Sequence, residues 1–175
     1  VDYSAVIHTT CGDIEMDLLE EKAQKDVANF IFLAEEGYYD GITWHRIEQD
    51  AVIQSGDPDG QNGSSAEGGV DGPGYGIPDE FPKKASEYLY GVVGMANTGP
   101  GGTAGSQFFI VVHDPTRQEP AGYQPLYSIF AEVDEASYPV LHDMQRQPTK
   151  GGTDPIEAVK PVVPIYITSI AIIEN

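Results

Sequence analysis

Between Ile42 and Asp57 the chain sets a permanent cation, Arg46, among strand-forming residues, with an amide, Gln54, further along the same run. A guanidinium beside Trp44 and Ile47 on a half-buried strand carries a large desolvation cost, so it needs hydrogen-bond partners or a ligand. The cation is also scarce: nine Lys and Arg stand against twenty-eight Asp and Glu, and only Arg46, Arg117 and Arg146 are arginines. Arg46 is then either a structural arginine tied to a nearby carboxylate such as Glu48 or Asp57, or the polar member of a binding or reaction site.

Spacing eliminates several chemistries. The glycine-rich run Gly99 to Ser106 has no lysine after its last glycine, and the apolar run Gln107 to Val112 that follows reads as a strand, so it is no phosphate-binding loop. His8, His45, His113 and His142 lie far apart without the paired spacings of zinc sites, and neither a metal nor a cofactor is expected. There is no Gly-x-Ser-x-Gly elbow, and His45 adjoins Arg46, so on a strand it faces the other way and reads as a core or supporting histidine, not a base. The one cysteine, Cys11, precedes Gly12-Asp13 and reads as a turn residue. What remains is Arg46, the amides of Gln54, Asn97 and Gln107, and apolar groups at Val52, Phe108 or Phe109, and Tyr127. That inventory offers hydrogen bonds and an apolar pocket but no nucleophile, which suits peptide recognition or a reaction that makes and breaks no covalent bond.

The elements that must position these residues are mostly strands. Ala5 to Thr10 and Asp13 to Leu19 form an expected hairpin; in the second, Ile14, Met16 and Leu18 alternate with Asp13, Glu15 and Asp17. From Asp26 the period changes: Val27, Phe30, Ile31 and Ala34 mark a helix with Asp26 as N-cap and Gly37 as C′ stop. Ile42 to Glu48, the short run Ala51 to Ile53, Leu89 to Ala96, Gln107 to Val112, Leu126 to Val133 and Val163 to Ile173 read as further strands. A second helix falls within Asp134 to Gln147, with Ser137 as cap and Pro139 in its first turn. Gly56 to Gly76, with its Asn62-Gly63-Ser64 sequon, and Pro148 to Lys160 read as surface loops. The expected class is mainly β, a closed antiparallel barrel with two helices.

At 175 residues the chain suits one domain, residues 1–175. A net charge of −19 and a pI near 4.2 argue against nucleic acid and anionic membrane as partners. The carboxylates are spread along the chain and not gathered in a tail, which suggests a surface adapted to a salt-rich cytoplasm. No window approaches a membrane span and the first residues are not signal-like, so a soluble cytoplasmic protein is expected.

Four ordered motifs carry a resemblance: Trp44-His45-Arg46-Ile47, Gln54-Ser55-Gly56-Asp57, Met95-Ala96-Asn97 and Gly105-Ser106-Gln107-Phe108-Phe109-Ile110. They resemble the successive motifs of the cyclophilin family of peptidyl-prolyl isomerases. With Gly72-Pro73-Gly74-Tyr75 and Ile77-Pro78-Asp79-Glu80-Phe81, which are similar to compact prokaryotic members, the likeness runs from Ala5 to Ile173. The resemblance implies an eight-stranded barrel capped by two helices and catalysis of rotation about Xaa-Pro bonds, with proline-containing peptides and unfolded chains as partners and a monomer as the working form. It makes Arg46 and Gln54 catalytic, with Val52, Ala96, Asn97, Gln107, Phe109 and Tyr127 holding the peptide, Phe109 as pocket floor and His45 in support. A non-catalytic proline-peptide binding module or chaperone is the alternative. Three departures stand out: Ala51-Val52 where the family usually has Phe-Met, a longer glycine segment at Gly99 to Gly105, and no tryptophan near Gly122-Tyr123, so that cyclosporin is expected to bind weakly.

Overall fold

The computed structural model describes residues 2–59, 72–114 and 124–175. The Asn62 sequon, most of the Gly56 to Gly76 loop, Arg117 and the Gly122-Tyr123 stretch therefore lie outside the described residues. In chain order the elements are β1 (Tyr3–Thr9), β2 (Gly12–Leu18), α1 (Gln24–Glu35), β3 (Arg46–Glu48), β4 (Val52–Ser55), β5 (Val92–Met95), β6 (Phe108–Val111), β7 (Ile129–Val133), α2 (Tyr138–Gln145) and β8 (Ile167–Glu174). All strand pairs are antiparallel, in the order β3-β4-β6-β5-β7-β2-β1-β8.

The sheet curls into a half-barrel that is open, which corrects the expected closed barrel. Its edges are β3 and β8, which form no ladder with each other. A single bridge, Thr43 to Tyr166, and the backbone bonds Trp44 N to Ile165 O (2.9 Å) and Ile167 N to Ile42 O (2.8 Å) stitch the chain just before each edge. Proline explains the gap. Pro161 and Pro164 flank Val163, where β8 was expected to begin, and lack the N–H a ladder needs, so regular pairing starts only at Ile167.

One face of the sheet is the main core. Alternation sends Ile7, Ile14, Met16, Ile47, Ile53, Val93, Met95, Phe108 and Ile110 inward, where they meet Val27, Phe30, Leu33 and Ala34 of α1 and Leu141 and Met144 of α2. Helix α1 starts earlier than Asp26: Ala23 is the N-cap without a side-chain bond, and Asp26 sits inside the first turn. The capping acceptor is Glu80, whose Oε2 takes the N–H groups of Lys25 (2.8 Å) and Asp26 (3.2 Å). At the other end Gly37, at φ 68°, closes a Schellman pair, Tyr38 N to Leu33 O and Gly37 N to Ala34 O. A 3-10 turn, Glu135–Ser137, precedes α2, and Ser137 Oγ accepts from Glu15 N instead of capping.

Candidate active site

The opposite face carries a second, smaller apolar cluster, Val52, Tyr88, Val92, Phe109, Val111 and Ile129, with Ala96 and Tyr127 packed against it. Strand register builds the site on this face. Arg46 pairs with Gln54, Gln54 with Phe109, Phe109 with Gly94 and Gly94 with Ile129, so one transverse row crosses five strands. Every member faces outward, because a period of two turns each strand's alternate residues away from the core. The row is polar at its Arg46 end and apolar from Phe109 onward.

A chain of donors and acceptors fixes the polar end. Arg46 Nη1 donates to Gln54 Oε1 at 3.5 Å, Gln54 Nε2 donates to Gln107 Oε1 at 3.0 Å, and Arg46 Nη2 donates to Glu48 Oε1 at 3.0 Å. The Arg46 side chain is 42% exposed and that of Glu48 36%, so the guanidinium is steered by neighbours yet open to a ligand. The structural partner foreseen for Arg46 is thus Glu48, and the two readings of the arginine are compatible.

Phe109 lies over Gly94, where an added Cβ would overlap its ring. Tyr127 meets that ring edge-on, centroids 5.3 Å apart and planes at 86°. The Tyr88 hydroxyl grips Tyr127 from both sides, donating to its carbonyl (2.7 Å) and accepting from its N–H (3.1 Å). Val52 completes the wall, and the last row member, Ile129, also lines a separate cleft of about 370 Å³ between Lys22 and Glu80 to Lys83.

The other named residues behave differently. Ala96 donates its N–H to Gln107 O (2.9 Å), tying the end of β5 to the row. The Asn97 side chain is engaged at both ends, Nδ2 donating to Leu126 O (2.7 Å) and Oδ1 accepting from Gly99 N (3.0 Å), which shapes the rim. His45 is buried away from the row; burial, above all, lowers its pKa to about 4, and its Nδ1 has no hydrogen-bond partner among the described residues. A neutral imidazole there supports packing. Between Phe108 and Phe109, the chain turns Phe108 into the core and gives Phe109 to the site.

Two site residues escaped sequence reasoning. Gly94 had a signal, a glycine inside the apolar run Val92 to Met95. Tyr88 had none, because its partner Tyr127 lies 39 residues away. No group of three His, Cys, Asp or Glu able to hold a metal ion occurs among the described residues, and no described helix is long and apolar enough to cross a membrane.

The chain is similar to known proteins in sequence and in fold. Residues 4–172 match the family model described as cyclophilin type peptidyl-prolyl cis-trans isomerase/CLD. A putative peptidyl-prolyl cis-trans isomerase of Staphylococcus aureus (strain USA300) is 46% identical over 112 residues, 63% of this chain and 53% of that protein. One of Staphylococcus saprophyticus is 46% identical over 110 residues, 61% of this chain and 51% of its own. The chain spans about half the length of these curated relatives. Among solved structures, a Cryptosporidium parvum cyclophilin type peptidyl-prolyl cis-trans isomerase superposes with a TM-score of 0.80 at 28% identity, covering 100% of this chain and 99% of that one. A second crystal structure of that protein, in the presence of the dipeptide Ala-Pro, gives a TM-score of 0.79, with 98% of this chain and 99% of that one covered.

Proposed function

The chain belongs to the cyclophilin-type peptidyl-prolyl cis-trans isomerase family, and from that premise we propose that it accelerates rotation about Xaa-Pro peptide bonds. The observation that carries this reading is the transverse row, which sets a half-exposed guanidinium beside the apolar cluster of Val52, Phe109 and Tyr127. The Ala-Pro dipeptide present with the Cryptosporidium relative is consistent with a proline ring as the pocket's occupant.

The chemistry needs no proton transfer. Amide resonance sets the barrier at ~18–20 kcal/mol. As the bond twists, the proline nitrogen regains a lone pair, which an Arg46 N–H binds more strongly than the planar ground state, so the stabilisation is differential. Gln54 and Gln107 hold the guanidinium and the peptide backbone in register. Phe109, Val52 and Tyr127 hold the ring in a poorly hydrated pocket while the preceding carbonyl swings; Ala96 and Asn97 supply the rim. An acceleration of about 10⁵ corresponds to about 7 kcal/mol. The deciding experiment is NMR exchange or a protease-coupled assay on a short Xaa-Pro peptide: faster cis-trans exchange is expected, and peptide binding without acceleration returns the chain to a proline-peptide binding module or chaperone. The small Ala51-Val52 wall, in place of bulkier aromatic and thioether groups, is what favours that second reading.

We extend the proposal to a single domain over residues 1–175 that works as a monomer on unfolded clients in a salt-rich cytoplasm, without nucleic-acid or membrane partners, and that binds cyclosporin weakly. The −19 net charge supports the salt adaptation. Melting temperature is expected to rise between about 0.05 M and 2 M salt as screening removes carboxylate repulsion; a flat response contradicts it.

A further inference from the structure

Glu48 positions Arg46 but offers no group to the rotating bond, and it sits on the site. It shares the outer face of β3 with Arg46, its backbone pairs with the pocket-wall residue Val52, and its carboxylate holds the arginine at 3.0 Å. A half-exposed ion pair contributes only about 0–1 kcal/mol to folding, so stability is a poor account of it. The charge has a larger consequence for ligands. A lone Arg46 would make the lip of the pocket cationic and draw acidic flanks toward it. Paired with Glu48, the guanidinium is neutralised as a long-range charge while its remaining N–H groups still face the site. The next position of the hairpin that could present a charge, Asp50, held at φ 57° in the turn, adds a second carboxylate. Over Arg46 to Ser55 the charged residues are Arg46, Glu48 and Asp50, so the hairpin carries a net charge of −1.

We propose that Glu48 is a specificity-determining residue that selects clients carrying a Lys or Arg close to the isomerised proline. The proposal rests on the isomerase reading above. Glu48 lies two strands across and two residues along from Phe109, about 12 Å between backbones at roughly 4.7–4.9 Å per strand and 3.3–3.4 Å per residue, a span that a Glu and a Lys side chain together bridge for a client residue one or two positions from the ring.

The test uses the full chain and Xaa-Pro peptides in which Lys, Gln or Glu is moved through the two positions on either side of the proline. Exchange is measured by NMR for the parent, Glu48→Gln, Glu48→Asp and a distant control of equal charge change, Glu35→Gln on exposed α1. At one flank the parent is expected to favour Lys over Glu by about 2–5-fold in kcat/KM, the size an exposed pair supports, and to lose most of that preference in about 1 M salt. Glu48→Gln should abolish or invert it, while Glu48→Asp and Glu35→Gln keep it. An unchanged Lys-to-Glu ratio in Glu48→Gln, or equal loss in Glu35→Gln, overturns the proposal. If the parent accelerates no peptide, the isomerase reading fails instead. Peptide Kd values titrated by NMR then decide the charge selection separately: a Lys preference lost in Glu48→Gln upholds it, and no preference overturns it.

Discussion

Phe108 and Phe109 are neighbours of identical chemistry on one strand, and they serve opposite sides of the sheet. Phe108 is fully buried among Phe30, Tyr39, Trp44 and Phe130, with ring centroids 5.6–6.5 Å away. Phe109 lies on the outer face in the smaller cluster, against Tyr127 and over Gly94. The inner ring is surrounded by rings that cannot close over a void, whereas the outer one, itself 4% exposed, packs in the smaller cluster beside the half-exposed Arg46 end of the row. One side of the same strand holds the fold together and the other carries the proposed ligand site.

That contrast is most directly broken by truncation. Phe108→Ala should cost about 3–5 kcal/mol in denaturant unfolding, the range for a large aromatic removed from a packed core, with peptide affinity nearly unchanged in whatever remains folded. Phe109→Ala should cost distinctly less stability, because it is removed from a much smaller apolar cluster, and should weaken peptide binding and turnover together. Equal stability losses in the two variants would erase the distinction drawn between the faces.

The polar end of the row is tested next. Arg46→Ala should lower turnover by about 10²–10³, the effect of removing one preorganised donor, with a much smaller fall in peptide affinity, since its bond strengthens chiefly in the twisted state. Arg46→Lys should fail as well, because a point ammonium cannot span Glu48 and Gln54 as the planar fork does. An Arg46→Ala protein as fast as the parent removes the arginine from the mechanism.

How much of this was legible depended on whether the cause was local. Alternation in β2 and the C′ glycine of α1 were readable because each is decided within a few residues. The run Phe108 to Val111 is buried on both faces, so alternation is erased and the residues alone left Phe108 and Phe109 equivalent; only the family resemblance pointed to Phe109. The N-cap of α1 was misplaced because its acceptor, Glu80, comes from 55 residues along the chain from Lys25. Barrel closure was over-read: the prolines before Ile167 were visible, but their effect on edge pairing is felt only once the two edges meet. Arg46, Gln54 and Gln107, which the resemblance grouped, lie on one chain of hydrogen bonds, whereas the opposing pull of Glu48 on the guanidinium depends on where the two side chains meet in space.

A smaller perturbation sharpens the outer-face side of the comparison. Gly94→Ala adds one methyl where the Phe109 ring rests. It should displace the ring into the space proposed for proline, raising KM, and cost about 1–3 kcal/mol as overpacking does. Combined with Phe109→Ala, which empties that space, the stability loss should largely disappear. Additive losses in the double variant would mean that Gly94 does not act through the ring.

The smallest expected effect comes from two buried titratable groups, because they oppose each other. Burial lowers the pKa of His45 from 6.5 to about 4. Between those values the unfolded chain takes up a proton that the folded chain refuses, so this group's contribution to stability is lost as pH falls. Asp26 is fully buried; burial first, then the nearby Glu80 and Asp79 carboxylates, raise its pKa from 3.8 to about 7. Over that span the folded chain keeps a proton that the unfolded chain releases, so its contribution is lost as pH rises. In the overlap, from about 4 to 6.5, the two slopes run in opposite directions and the parent's melting temperature should respond only weakly to either. Single variants uncover each limb. Relative to the parent, His45→Gln leaves the Asp26 limb, giving a melting temperature that falls as pH rises through the overlap. Asp26→Asn leaves the His45 limb, giving one that rises. Taking differences from the parent cancels the common background of surface carboxylates. Two variants that move the slope in the same direction would show that one of these groups is not held in the form its burial demands.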